Sequence, residues 1–293
     1  MAFDPRHRSR ILLDGPDRAP ARAMMRAVGY TEEELSRPLI GVAHCWIEIM
    51  PCTYHHRYLA ERVKEGIRAA GATPVEFNAI AISDGISMGT EGMKASLVSR
   101  DLIADSIELA VDANRLDAMV LLASCDKIVP ACWMAMARLD IPAILVTGGP
   151  MLPGYAQGRD WILTDGREAV GRLRRGEITE ADFQEIENAI CPGPGSCAMM
   201  GTANTMSCIT EALGLTLPGC ATVPATAPER RTLCEASGRR IVELVKERTG
   251  CRAMLTQGSL ENAVRVCLAI GGSTNATLHM PAVAHEAGAE ITL

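Results

Sequence analysis

The sequence lacks a basic run. Its 29 Lys and Arg are outnumbered by 35 Asp and Glu, for a formal charge of −6, whereas a dedicated nucleic-acid binder needs a cationic face to meet phosphates. It also lacks the roughly 18–20 consecutive apolar residues of a membrane span. Met1–Pro20 is polar and charged, without the apolar core of a secretion signal. Internal repeats and low-complexity tracts are absent. These absences predict a globular, cytoplasmic protein. With 293 residues and a 48% apolar fraction, the chain can bury the core of one large α/β domain or two smaller ones.

Cysteine, by contrast, is plentiful. Eleven is an odd number, and the residues sit in apolar or Gly/Pro contexts rather than in a disulfide framework. In a reducing compartment such cysteines are small core residues, metal ligands or nucleophiles. Cys132, Cys208, Cys220, Cys234, Cys251 and Cys267 read as core or surface residues.

Apolar runs of strand length alternate with helix-period segments. Pro38–Val42 reads as a strand, and Tyr54–Ala70 as a helix with Leu59, Val63 and Ile67 at four-residue intervals and Gly71 as its stop. Val75–Ile82 reads as a second strand. The Gly-rich turn Asp84–Gly92 leads into a helix through Leu102, Ile103, Ile107 and Val111. A strand at Ala118–Ala123, a helix at Ala131–Leu139 and a strand at Ala143–Val146 follow. Strands separated by helices of this length imply right-handed βαβ crossovers, hence an α/β fold with a parallel sheet and flanking helices. Residues 150–190 turn polar and read as a connector carrying one helix, started by a capping pattern at Thr179–Asp182. Helices are further expected over Thr202–Leu213, Leu233–Arg248 and Gln257–Ala269.

In an open parallel sheet, ligands bind beyond the carboxyl ends of the strands. Four loops are expected there: Ala43–Thr53 with Cys45 and Cys52, Ser83–Gly92 with Asp84 and Glu91, Ser124–Pro130 with Cys125, Asp126 and Lys127, and Gly148–Gly149. Packing alone does not call for so many thiols and carboxylates at one rim. The bland reading pairs Asp126 with Lys127 locally and buries Cys125. Cys52 follows Pro51 at a helix start, where the helix terminus favours its thiolate; an ordinary turn residue is the alternative. Cys197 lies in PGPGSCAMMG, whose glycines let backbone approach a bulky inorganic group or merely form a turn. Cys52, Cys125 and Cys197 are 73 and 72 residues apart, which excludes zinc-finger and ferredoxin-type motifs with their two to about four intervening residues. The Gly-rich loops match neither GxxxxGK[ST] nor GxGxxG.

Several stretches carry a resemblance. Arg18–Gly29, Pro51-Cys52, Asp84–Arg100 running into Ile103–Glu108, Cys125–Pro130 (CDKIVP), Gly148–Pro150, Gly195–Met206 (GSCAMMGTANTM), Glu211–Gly219 and Gly271–Ala276 (GGSTNA) resemble the amino-terminal domain of the dihydroxy-acid dehydratase and sugar-acid dehydratase family. The match covers nearly all of residues 1–293. It implies an iron–sulfur and magnesium-binding α/β domain, the first half of a larger two-domain hydro-lyase. Cys52, Cys125 and Cys197 correspond to the thiolates of an iron–sulfur cluster, with [2Fe–2S] favoured over [4Fe–4S]. Asp84, Glu91 and Asp126 match acidic positions at a Mg²⁺ site. Lys127, the catalytic residue assigned to this half, would act there as a carbamylated ligand. Three thiolates leave one iron position open to act as a Lewis acid on a leaving hydroxyl, and Mg²⁺ takes oxygen ligands from the substrate's carboxylate and 2-hydroxyl. A 2,3-dihydroxy carboxylate would become a 2-keto acid and water.

Gly92–Glu108 resembles the branched-chain dihydroxy-acid enzymes of valine, isoleucine and pantothenate synthesis more than the sugar-acid enzymes; arabinonate or xylonate is the alternative substrate class. Two departures stand out. The family usually carries Asn followed by Thr or Ser near Ala43-His44, and it continues well beyond Leu293 into a half expected to hold the base, a serine and a further magnesium ligand. The resemblance therefore implies a homodimer, or a partner that supplies the carboxyl-terminal half. Competing readings are a non-catalytic assembly subunit and a zinc protein using the same thiols.

Overall fold

Strand β1 (Leu39–His44) is buried along its whole length, which explains why it reads as an apolar run without alternation: a parallel sheet covered on both faces has no solvent side. The computed structural model describes residues 3–291. Its main sheet contains β1, β2 (Thr73–Asn78), β3 (Ala118–Ala123) and β4 (Ala143–Thr147) in the order β2-β1-β3-β4. All three pairings are parallel, with Val42 opposite both Glu76 and Val120.

Successive strand residues point to opposite faces. Ile40, Val42, Val120 and Leu122 meet helix α1 (His56–Ala69) and a later helix over Glu229–Glu247. Leu39, Ala43, Met119 and Leu121 face the other layer, which includes α2 (Ala95–Ala113) and α3 (Ile128–Leu139). In α1, Leu59, Val63 and Ile67 are fully buried, each worth roughly 1.5–3 kcal/mol of transfer free energy. The cover is close: a Cβ on Gly66 would lie 2.1 Å from the Glu235 carbonyl oxygen, and one on Gly238 would lie 2.2 Å from that of Val63. Two glycines thus let these helices touch backbone to backbone. Helix α3 is buried on all sides from Ile128 to Ala137, and Trp133 Nε1 donates to Thr210 Oγ1 at 3.1 Å.

The expected strands and their parallel order are present, except that the strand expected over Val75–Ile82 runs from Thr73 to Asn78 and residues 79–82 are loop. The helix expected over Tyr54–Ala70 instead begins at His56, after a separate turn at Pro51–Tyr54. The Asp84–Gly92 turn contains a short helix, Asp84–Ser87, and borders a 3-10 turn at Glu91–Lys94. The connector differs more. It holds an antiparallel hairpin, β5 (Gly154–Ala156) with β6 (Arg159–Trp161), and two helices, α4 (Leu163–Arg174) and α5 (Glu180–Ala189). Trp161, Ala169 and Ile186 give it a small core of its own. The basic cluster Arg172–Arg175 masks the apolar stripe of α4, which explains the missed helix. Beyond it lie α6 (Thr202–Ala212), α7 (Glu229–Glu247), α8 (Gln257–Ala269) and α9 (Ala276–Ala287). Among the described residues, no helix is long and apolar enough to cross a membrane.

Candidate active site

From β1 the chain moves one way to β2, then crosses back to place β3 on the other side of β1. Between β1 and β3 the order reverses, and such a switch point opens a crevice at the strands' carboxyl ends. A cavity of about 390 Å³ lies there, lined by Cys52, Cys125, Cys197, Asp84, Asp126 and Lys127. Six of the seven residues singled out from sequence therefore share one wall.

The thiols come from three loops. Cys125 lies two residues beyond the end of β3 with φ +83°, a conformation that costs a non-glycine residue about 1–3 kcal/mol. Its neighbour Ser124 is tied down on two sides: Ser124 Oγ accepts from the Gly148 backbone N–H at 3.0 Å and lies 3.2 Å from Nε2 of the buried His56. Cys197 sits in a loop bracketed by backbone, because Gly195 N–H donates to the Pro51 carbonyl and Ser196 N–H to that of Gly149. Asn204 Nδ2 donates to the Cys197 carbonyl at 2.7 Å. The Cys52 thiol neighbours those of Cys125 and Cys197. Those contacts, reinforced by burial, raise its pKa well above the ordinary thiol value. This reverses the expectation from the helix terminus, since the turn carrying Cys52 is only four residues long. The activated thiol is Cys197, brought down to about 7 by its contact with Cys52 and by Arg167, against the opposing effect of burial.

The carboxylates close on Lys127. Its Nζ lies 2.7 Å from Asp84 Oδ2 and 3.0 Å from Asp126 Oδ2, with all three side chains largely buried. Burial, followed by the nearby Asp126, raises the Asp84 pKa, with Lys127 and Ser96 Oγ (which donates to Asp84 Oδ1) acting the other way. For Asp126 burial is outweighed by the hydrogen bond from His279, by Asp84 and by Lys127, so it stays ionised well below the usual carboxylate range. Burial would lower the Lys127 pKa, but its carboxylate partners raise it. Among the described residues no three His, Cys, Asp or Glu side chains form a ready-made metal cage. The ammonium of Lys127 instead takes the position between the two carboxylates. The donor chemistry nonetheless fits the implied groups: soft thiols on one wall suit iron, and hard carboxylates beside them suit Mg²⁺.

Glu91 is not brought to this wall. It lies on the outward 3-10 turn, 88% exposed, and pairs with Lys94 Nζ at 2.5 Å. His44, at the family-divergent position, turns to the neighbouring strand and meets Glu76 Oε1 at 2.9 Å. Sequence reasoning missed four residues with roles here. Cys191 adds an exposed thiol to the cavity and Arg167 a cation. Asn275 and His279 reach Asp126 from the far end of the chain. Of these, Asn275 falls inside GGSTNA, and Cys191 opens the Gly/Pro-rich loop that carries Cys197.

Residues 37–293 match the family model described as the dihydroxy-acid/6-phosphogluconate dehydratase N-terminal domain. The chain belongs to this dehydratase family. It is 53% identical over 286 residues to "Dihydroxy-acid dehydratase 1" of Methanosarcina acetivorans, covering 98% of this chain and 52% of that protein. It is 48% identical over 293 residues to a dihydroxy-acid dehydratase of Roseiflexus sp., covering all of this chain and 52% of the relative. A third, from Caldanaerobacter subterraneus subsp. tengcongensis, is 52% identical over 286 residues, 98% of this chain and 51% of the relative. The chain thus spans about half the length of the curated relatives it matches.

Proposed function

We propose that the protein carrying this chain is a hydro-lyase that converts a 2,3-dihydroxy carboxylate into a 2-keto acid and water. The observation that carries this reading is the single cavity in which three thiols meet an Asp–Lys–Asp cluster. In it, Cys52, Cys125 and Cys197 hold an iron–sulfur cluster, [2Fe–2S] by preference, while Asp84, Asp126 and Lys127 as its carbamate hold Mg²⁺. Glu91 would join them only if its loop turned inward. When bound, the two groups supply Lewis acidity toward the leaving 3-hydroxyl and toward the carboxylate and 2-hydroxyl.

The chain's own residues set up the remaining conditions. Ser124 and Gly148 hold the Cys125 backbone, the Gly195–Ser196 contacts fix the Cys197 loop, and the two aspartates keep Lys127 facing the cavity. Overall, C2 loses its proton, the C3–O bond breaks to release water, and the resulting enol tautomerises to the keto acid. The proton acceptor belongs to the carboxyl-terminal half found in the relatives, supplied by the same polypeptide or by a partner. The relatives' names point to a dihydroxy acid as substrate, and the resemblance of Gly92–Glu108 favours a branched-chain one.

One observation favours the sugar-acid alternative. Arg167 lines the cavity, and among the described residues it has no carboxylate within ion-pair distance; a free cation suits a hydroxylated or anionic distal group better than an alkyl one. The test is turnover by the full protein, purified without oxygen, with keto acid trapped as its hydrazone. We expect product from 2,3-dihydroxy-3-methylbutanoate, and none from Cys125→Ser or Asp126→Asn. A cluster-loaded, Mg²⁺-supplied protein that forms no keto acid from branched or sugar-derived 2,3-dihydroxy acids would refute the reading.

A further inference from the structure

Asp126 is held from behind by a helix that contributes nothing else to the cavity's titratable groups. Asn275 caps α9, and His279 lies four residues on, so the two side chains share one face of the helix. Asn275 Nδ2 lies 3.3 Å from Asp126 Oδ1 and 3.0 Å from Oδ2, and His279 Nε2 lies 3.3 Å from Oδ1. His279 is fully buried. Its other ring nitrogen, Nδ1, faces Arg100 Nη1 at 3.5 Å.

A guanidinium can only donate, so Nδ1 must accept. That assignment leaves the single ring proton on Nε2, aimed at the carboxylate. Arg100 is itself held by the Leu278 carbonyl and by Asp101. A chain of donors therefore runs from Arg100 through His279 to Asp126. A ligating carboxylate needs such support, because its orientation sets how well it meets a cation, and losing an outer hydrogen bond typically costs about 10–100-fold in metal affinity.

We infer that Asn275 and His279 are positioning residues that orient the Asp126 carboxylate for a divalent cation, with Arg100 selecting the His279 tautomer. The inference rests on the reading of Asp126 as a cation ligand. It assigns a function to the GGSTNATLHM segment, which lies about 150 residues from Asp126 in sequence.

The test uses the full protein and Mn²⁺, whose binding is read by electron paramagnetic resonance independently of turnover. His279→Leu removes the donor and is expected to weaken Mn²⁺ binding at least about tenfold. His279→Gln can offer its amide N–H near the Nε2 position and is expected to stay within a few-fold of wild type. ¹⁵N NMR of the wild-type imidazole, which needs no variant to fold, should find the proton on Nε2. Unchanged Mn²⁺ affinity in His279→Leu, equal losses in the Leu and Gln variants, or a proton on Nδ1 would each overturn the inference while leaving the cation site standing. A wild-type protein whose Mn²⁺ binding is unaffected by Asp126→Asn would instead remove the cation site, and the inference with it.

Discussion

Replacing Lys127 by Met should damage the cation-free protein in a way that a second substitution repairs. The ammonium sits 2.7 Å and 3.0 Å from two carboxylates, in side chains only 9–15% exposed. Removing one partner of a buried ion pair costs about 3–5 kcal/mol, because the charge left behind is neither paired nor solvated. The cavity admits solvent, which screens part of that cost, so the lower end applies: about 3 kcal/mol. At roughly 2–4 °C per kcal/mol for a chain of this size, melting should fall by about 6–12 °C. The repair is Asp84→Asn, which removes the repulsion between the stranded carboxylates. The double variant should regain at least about 1 kcal/mol over Lys127→Met alone, a coupling typical of contacting residues. Acid should act in the same direction. Without Lys127 the already raised Asp84 pKa loses a contact that holds it down, so the penalty is full at neutral pH and shrinks as pH falls through the folded value. In the wild type the depressed Asp126 contributes stability that is present above its unfolded value near 4 and is lost as pH falls toward its lower folded value. The Asp84 effect narrows the gap between variant and wild type below neutrality, and the Asp126 effect adds to it only below about pH 4. Urea unfolding of chelator-treated protein at neutral pH and near pH 4.5 measures this. A Lys127→Met variant as stable as wild type, or one that Asp84→Asn destabilises further, would refute the reasoning.

In cluster-free protein, Cys197 should alkylate with an apparent pKa near 7, ahead of Cys52, whose thiol is held well above the ordinary value; Cys52→Ala should move Cys197 upward, because that contact is the main cause of its shift, and peptide mass spectrometry after timed iodoacetamide treatment reads both. Gly238→Val should destabilise the fold by several kcal/mol or prevent it, since the added Cβ meets the Val63 carbonyl at 2.2 Å and the neighbouring helix backbone has no room to yield; circular dichroism and soluble yield report it. Trp133→Ala should cost about 3–5 kcal/mol, from a fully buried ring whose N–H partner Thr210 is left without it. Arg167→Leu should lower kcat/KM for aldonates relative to 2,3-dihydroxy-3-methylbutanoate if the cation meets the distal group, and leave the ratio unchanged if it does not.

The parts of this molecule readable from sequence are those governed by local pattern. β1 and β3 are short apolar runs between helices, and their alternation places Cys125 and Asp126 beyond the carboxyl end of a parallel strand. The hairpin and α4 were hidden because a three-residue strand has too little periodicity to register and because the arginines near the end of α4 outweigh Ala169 in any average. The reversed thiol order, with Cys197 rather than Cys52 activated, depends on which sulfurs touch, and spacings of more than seventy residues carry no such information. Glu91 shows the same limit in reverse: the resemblance matches it to an acidic position at the Mg²⁺ site, yet the 3-10 turn points it to solvent beside Lys94. His279 left no signal because its role depends on α9 packing against α3, a contact between segments some 150 residues apart.

The most direct test of the central claim is the iron, acid-labile sulfide and zinc content of the full protein purified without oxygen, alongside Cys52→Ser, Cys125→Ser and Cys197→Ser. Stoichiometric iron and sulfide are expected in the wild type and lost in all three variants. Zinc in place of iron, or iron and sulfide retained in any one of the three variants, would contradict the claim.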